Sequence, residues 1–453
     1  MKKKLIKAIF YLLLTITILL PNGDTANAYS FRVYPTHIRI GLLEFFNNRP
    51  SITIGNVSIS YGNIQEQTVQ GKLHSSSGFT VQPHGTQGIR LVASGQTVAV
   101  FDHSPQFSDY YGGFMVLGNA SFRGAIEFVR SGSNITAVNV ISIEEYLFSV
   151  VPSEMPPSWS AEALKAQAVA ARTYALFHMG NSTHNAQGFD LCDLVHCQRY
   201  RGTVNEAASS TAAVMATAGR IALFDGQVIN AVYFASSGGM TENSENVWAQ
   251  ALPYLRSVND PFEHETPLWT RTFTLSEINT LLSRNNRSIG TATNIYVGGN
   301  HPSGRVESLV IQGTTGQITL TREEIRTFFA PSSGGVLPSR MFVIESTSPV
   351  YVTVFDGMLQ HDAPLTGLYS ISVDGIPVPI NELNASDGIN IVTYYSLPPS
   401  AAIDRDAIVF SGRGAGHGVG MSQRGAEGLA RRGYTYEEIL MHFYLGITVE
   451  SIS

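Results

Sequence analysis

The sequence predicts an α+β fold, β-rich, with one alanine-rich helix at its centre and a further β-rich insertion. Three observations predict it. Short apolar runs broken by Gly, Asn and Ser fill the stretch from Tyr29 to about Gly113 and again from about Leu337 to Asp406. Charged residues make up only 14% of the 453-residue chain while glycine occurs 42 times, a composition of strands and turns and not of disorder. Between these stretches lies Ser160–Met179, rich in alanine and free of internal Gly or Pro. A chain of this length has room for two or three cores.

Taken in order, Ile38–Leu42, Leu91–Ala93, Ala125–Val129 and Ile135–Ile141 read as strands. Ser160–Met179 reads as a helix with Ser160 as N-cap, Glu162 in the first turn and Gly180 as stop. A second helix is expected over Glu206–Ala218. Strands follow at Val228–Phe234 and Val306–Ile311, and Thr321–Phe329 looks helical. Val350–Val354 and Ile389–Val392 are the clearest strands of the insertion, placed at about 337–406. Helices over Ser422–Arg432 and Thr435–Tyr444 close the chain, the second with Thr435 and Glu438 as a capping box. The expected organisation is an N-terminal segment 1–28, a β-rich region 29–113, and a region 114–453 that holds the insertion.

Lys2, Lys3, Lys4 and Lys7 precede an apolar run, Ala8–Leu20, and the small-residue pattern Ala26-Asn27-Ala28. This reads as a secretory signal cleaved after Ala28, or as an uncleaved N-terminal anchor. The run is about 13 residues, short of the roughly 20 that span a bilayer. The chain is therefore expected to work outside the cytoplasm. A net charge of -6 gives no general attraction to polyanions, so nucleic acid is excluded as a partner.

Glu154 stands in V-V-P-S-E-M-P-P-S-W-S, read as a loop six positions before the Ser160 N-cap. A free glutamate titrates near 4.3 and is ionised at neutral pH, whereas apolar burial raises a carboxyl by up to roughly 3–5 units. The following helix N-terminus opposes this by about 0.3–1 kcal/mol within one turn. If the prolines, Met155 and Trp159 pack over it, Glu154 becomes a proton donor; if not, it is a solvated loop residue.

His184, Cys192, His196 and Cys197 lie within fourteen residues. Two thiolates with one or two imidazoles suit a tetrahedral structural zinc; a Cys192–Cys197 disulfide and two free thiols are the alternatives. No H-E-x-x-H accompanies the cluster. Val409-Phe410-Ser411 leads into G-R-G-A-G-H-G-V-G-M-S-Q, which fails the strict G-x-G-x-x-G pattern, so nucleotide binding is set aside. Its glycines admit close approach of a sugar or of the loop bearing Glu154, with His417 and Gln423 as hydrogen-bonding groups and a buried structural His417 as the bland alternative. Ser236-Ser237-Gly238 lacks the G-x-S-x-G elbow of a serine nucleophile and reads better as groove lining. Tyr233, Trp248 and Tyr254 are candidate sugar-stacking faces, each individually more typical of a core.

P-S-E-M-P followed by A-L-K-A-Q-A-V-A-A-R-T-Y-A resembles the hallmark of the SpoIID/LytB family, the sporulation stage II protein D lytic transglycosylases. Phe234–Glu242, Pro253-Tyr254-Leu255 with Val258 and Asp260, and Gly412–Ala426 are similar to further motifs of that family, in one order, over roughly Arg123 to Tyr444. The resemblance implies that Glu154 is the catalytic acid/base and that the helix after it carries the catalytic region. It implies cleavage between N-acetylmuramic acid and N-acetylglucosamine in peptidoglycan glycan strands, leaving a 1,6-anhydro end. A single carboxyl suffices there, because the substrate's own C6 hydroxyl attacks, where other glycosidases need two. Arg172 matches a family arginine and is expected to orient Glu154 or bind glycan. Substrate contacts are expected from Ser236, Ser237, Gly238, Tyr254, His417 and Gln423. Some members carry a zinc site of similar spacing, with a departure of a residue or two that leaves the ligating histidine open. Relatives described as amidase modulators supply the rival reading, a non-catalytic wall protein acting on an amidase or other septal or engulfment proteins. A zinc hydrolase built on the cluster is the third.

Overall fold

The computed structural model describes residues 34–179, 182–345 and 407–452, together with the backbone of six strands between 351 and 395. The expected signal or anchor at 1–28, the Gly180 stop, and the insertion apart from those six strands lie outside the described residues. The strands pair as three two-stranded ladders, 351–355 with 360–364, 369–371 with 377–379, and 382–386 with 391–395. The described chain is β-rich with interspersed helices, in keeping with an α+β fold.

Seven helices occur among the described residues: α1 (Ile143–Glu154), α2 (Ala161–His178), α3 (Ala208–Ala216), α4 (Leu275–Arg284), α5 (Glu324–Thr327), α6 (Gln423–Ala430) and α7 (Tyr436–Phe443). A first lobe is built on a seven-stranded sheet in the order 191–192, 37–41, 134–142, 125–131, 106–109, 58–63, 68–74. All its pairings are antiparallel except 37–41 with 191–192. A six-stranded sheet in the order 120–122, 115–117, 52–54, 79–84, 88–93, 96–101 shares the same core. Strand 134–142 (N-I-T-A-V-N-V-I-S) is buried at seven consecutive positions, the pattern of a strand covered on both faces. Its one internal amide, Asn139, is satisfied by the carbonyls of Arg123 and Ala125 and by Tyr200 Oη. Burying each large apolar side chain of such a core contributes about 1.5–3 kcal/mol.

Helix α2 is the hub of the lobe. Twelve of its eighteen residues are buried, and it packs against α1, α3, α6 and α7. Alanine at 161, 163, 166, 168, 170, 171 and 175 keeps its surface thin enough for four neighbours to approach. The last described strand, 448–451, pairs with 220–224, and 233–234 pairs in parallel with 421–422. The second lobe lies between these segments. It has its own core, including Phe273, Ile278, Leu281, Leu309, Ile311, Phe329, Leu337 and Phe410. Its two sheets run 268–274, 407–413, 342–345 and 292–300, 306–313, 317–321.

Several local expectations need correction. Val151–Glu154 is the last turn of α1 and not a loop; Pro152 is accommodated two residues from the helix end, where little of the ladder remains to be broken. Ser160 sits at the N-cap of α2, but its hydroxyl caps nothing, and its backbone N–H donates to Glu427 Oε2 (2.8 Å). Thr321 ends a strand, and only one helical turn, α5, follows it. Val228–Phe234 divides into two short strands, 227–228 and 233–234. The Thr435–Glu438 capping box forms as expected, and α4 carries a second one, Thr274–Glu277.

Candidate functional site around Glu154

Helix α1 starts at Ser142, whose hydroxyl accepts the Glu145 N–H, and runs directly off strand 134–142. Its end is therefore fixed by the central sheet, and Glu154 is the last residue on it. The carboxylate is held at both oxygens: Oε1 accepts the backbone N–H of Arg199 (3.1 Å) and Oε2 accepts Gln423 Nε2 (3.4 Å). Gln423 is the first residue of α6, and its amide also donates to Gln167 Oε1 on α2 (3.4 Å). Gln167 is fully buried, and its own Nε2 has no partner. Burial pushes the Glu154 carboxyl above the usual value; the Arg199 N–H, Gln423 and the Arg199 charge pull it back in part. A helix C-terminus is also the negative end of the peptide dipoles, so it opposes ionisation where the expected helix N-terminus would have favoured it.

Gln198 braces the floor beside this carboxyl. Its Oε1 accepts Tyr146 Oη (3.1 Å), and its Nε2 donates to Tyr233 Oη (2.9 Å) and Ala171 O (3.2 Å). Burial holds the phenols of Tyr146 and Tyr233 well above their ordinary value, so Tyr146 donates to Gln198 and Tyr233 accepts from it as un-ionised groups.

The segment carrying Gln198 and Arg199 begins at the Cys/His cluster. Donor atoms of His184, Cys192, His196 and Cys197 all lie within 4.8 Å of one another. The sulfurs are 3.4 Å apart, far beyond the roughly 2.05 Å of a disulfide. His184 Nδ1 is engaged by Gln187 Oε1 (2.6 Å), which leaves its buried Nε2 free and facing no protein partner. His196 meets Cys197 Sγ through Nδ1 (3.3 Å). Two sulfurs and two ring nitrogens at one point are donors of the kind that a closed tetrahedral zinc site uses, with Gln187 placed to fix the His184 tautomer.

The remaining sequence-predicted residues are spread differently. Arg172 is fully buried and grips Glu144 with two contacts (2.8 and 2.6 Å), while also reaching the carbonyl of Arg220 (3.1 Å). Glu154 is not among its partners, so the expectation that Arg172 orients it or meets glycan is replaced by a role in fixing α1 to α2. Tyr254 is a core residue packed on Phe224, its hydroxyl accepting the Asn230 N–H (3.1 Å), and it offers no face to a sugar. Ser237 is buried and donates to Asp260 Oδ2 (2.7 Å), a carboxyl that burial pushes up to about 6. Gly238 N–H donates to Glu263 (3.0 Å), and Ser236 exchanges both backbone hydrogen bonds with Ala415. Ser236-Ser237-Gly238 is thus a buried brace and not groove lining. His417 uses both ring nitrogens, one toward Tyr233 O (3.1 Å) and one accepting the Val419 N–H (3.1 Å). Burial first, then Arg326, drops its pKa to about 3, so it is neutral and structural. The glycine-rich run approaches this brace and the second lobe: a Cβ on Gly418 (φ +89°) would lie 2.5 Å from Arg305 Nε. Arg305 in turn donates to Ser237 O (2.7 Å) and Met240 O (2.6 Å).

Of the predicted set, the fold gathers Glu154 and Gln423 at one point and the four cluster residues beside them. Sequence reasoning missed Gln167, Gln198, Tyr146 and the Arg199 N–H. Gln167 was signalled by its position, a lone amide in the apolar face of α2; a backbone N–H carries no residue-type signal.

Fold and site together define a two-lobed α+β protein with the desolvated carboxyl of Glu154 at the end of α1. The model of a family described as stage II sporulation protein matches residues 131–224, and that of a domain of unknown function (DUF8618) matches residues 245–358. Stage II sporulation protein D of Bacillus subtilis is 29% identical over 328 residues, 69% of this chain and 76% of that one. The amidase enhancer of the same organism is 30% identical over 315 residues, and the match spans 67% of this chain and 40% of the relative. An uncharacterized protein of Brachyspira hyodysenteriae is 28% identical over 334 residues, 74% of this chain and 73% of its own length. The chain belongs to the SpoIID/LytB family.

Proposed function

We propose that this protein is a peptidoglycan lytic transglycosylase acting outside the cytoplasm. Glu154 protonates the oxygen leaving the N-acetylmuramic acid and then takes the proton of that sugar's C6 hydroxyl as it closes on C1. The observation that carries the reading is the state of Glu154: burial raises its pKa while Arg199 N–H and Gln423 keep both oxygens oriented. A carboxyl whose protonated form is favoured by burial and whose oxygens are both held suits giving a proton in one step and taking one in the next. Among the described residues, the side chains and amides that hold the Glu154 carboxylate are Gln423 and the Arg199 N–H and not a second acid, which suits chemistry whose nucleophile the substrate brings itself.

A zinc ion held by Cys192, Cys197, His184 Nε2 and His196 Nδ1 would be structural. Four protein donors leave no open position for water, and the ion would pin the segment that delivers Gln198 and Arg199 to Glu154. The likeness to an amidase enhancer favours a second reading, stimulation of a wall amidase. Purified glycan strands separate the two. Anhydro-ended products that disappear in Glu154→Gln support the enzyme; intact strands with a faster amidase support the modulator.

A further inference from the structure

The second lobe carries a polar cleft of about 590 Å³ between strand 268–274, helix α4 and the turn 331–334, wholly inside the stretch matched by the domain of unknown function. Two guanidinium groups face it, Arg271 from the strand and Arg284 from the last turn of α4. Arg271 is half-buried; it donates to Gly334 O (3.0 Å), and its buried Nε has no partner. Its guanidinium lies so close to the turn that a Cβ on Gly334 would be 2.9 Å from Cζ. Arg284 donates to Pro331 O (2.6 Å). Among the described residues neither forms an ion pair with a carboxylate. Among the described residues that line the cleft the acid is Glu277, spent on the α4 capping box, accepting from the Thr274 N–H (2.8 Å) and hydroxyl (3.2 Å). Thr270, Thr280 and Ser332 add hydroxyls to the same wall.

A buried guanidinium N–H without a partner is costly unless something completes it, and the exposed Arg284 beside it adds a second positive charge. The group that fits is a carboxylate, which takes two N–H donors of an arginine fork side by side. Among the described residues strand 268–274 is moreover an edge of its sheet, paired with 407–413, so its other side can take an extended chain lying along the cleft.

We propose that this cleft is a second binding site of the protein, taking the carboxylate groups of the wall polymer through Arg271 and Arg284. The inference rests on the peptidoglycan reading above and assigns to the second lobe the grip on the strand that Glu154 cuts. The test is sedimentation of the full chain with insoluble peptidoglycan, in the Glu154→Gln background so that the polymer stays intact. Arg271→Gln/Arg284→Gln together are expected to weaken binding at least tenfold. Arg284→Gln alone, at an exposed position that the fold tolerates, is expected to weaken it severalfold. Amidating the polymer's carboxyl groups is expected to weaken the parent to the level of the double variant, with no further loss in that variant. Unchanged affinity in both arginine variants overturns the proposal, as does arginine-dependent binding that survives amidation or moves to a phosphate-bearing polymer. A parent chain that cuts strands while both arginine variants bind them normally sinks this inference alone. Strands left uncut by the parent sink the enzymatic reading instead.

Discussion

Replacing Arg172 with methionine keeps the aliphatic stem and removes the guanidinium that ties α2 to α1. The loss strands Glu144, which then keeps one close donor, the Gly219 N–H (3.1 Å), and it orphans the carbonyl of Arg220. Breaking a buried ion pair costs about 3–5 kcal/mol. Here the partner side chain is 32% exposed against 0% for Arg172, so water re-solvates part of the stranded charge and the lower end, about 3 kcal/mol, is expected. For a lobe of this size that is a fall in melting temperature of about 6–12 °C. The assay is thermal unfolding followed by circular dichroism, with glycan cleavage measured per folded molecule well below the transition. Arg172→Met/Glu144→Gln should recover part of the loss, because it removes the orphaned charge with its partner. An unshifted transition together with lost cleavage would refute the reasoning and return Arg172 to the reaction itself.

Glu154 offers a stability test with a definite sign. Burial raises its folded pKa above that of the unfolded chain, so the folded state holds the proton longer and stability falls as pH rises through that interval. Glu154→Gln should therefore unfold at higher temperature than the parent at neutral pH, match it below the ordinary carboxyl range, and cut no strands. Metal analysis should find one zinc per chain; Cys192→Ser should lower zinc content, melting temperature and cleavage together, since Arg199 follows Cys197 by two residues. Gly428→Ala reverses the usual helix rule. Alanine normally gains about 1 kcal/mol over glycine inside a helix, but in α6 its Cβ would fall 1.7 Å from Phe262 O, so the melting temperature should drop.

Where the fold was legible, one local rule decided the matter. The alanine run of α2, the Thr435 capping box and the short apolar runs that form the strands around 125–141 are legible from the local sequence alone. Helix α1 was misread because Pro152, Pro156 and Pro157 look like loop punctuation, although Ser142-Ile143-Glu144-Glu145 carried a helix-start signal ten residues earlier. Arg172 and Tyr254 were misplaced for a different reason. Whether a guanidinium or a phenol faces a groove or a neighbour depends on segments far away in the chain, here Glu144 and Asn230. The same holds for the Arg199 N–H, which reaches Glu154 because of where the Cys/His loop lies and not because of what residue 199 is.

The pairing of strand 220–224 with 448–451 bears on how the molecule comes into being. Ile221 finds its neighbour at Glu450, near the last described residue, and Gln423 must arrive before Glu154 is held on its second oxygen. Contacts so distant along the chain are slow to form. A nascent chain halted before residue 448 lacks the pairing partner of strand 220–224. Holding Glu154 on both oxygens thus waits on a residue 269 positions further along the chain.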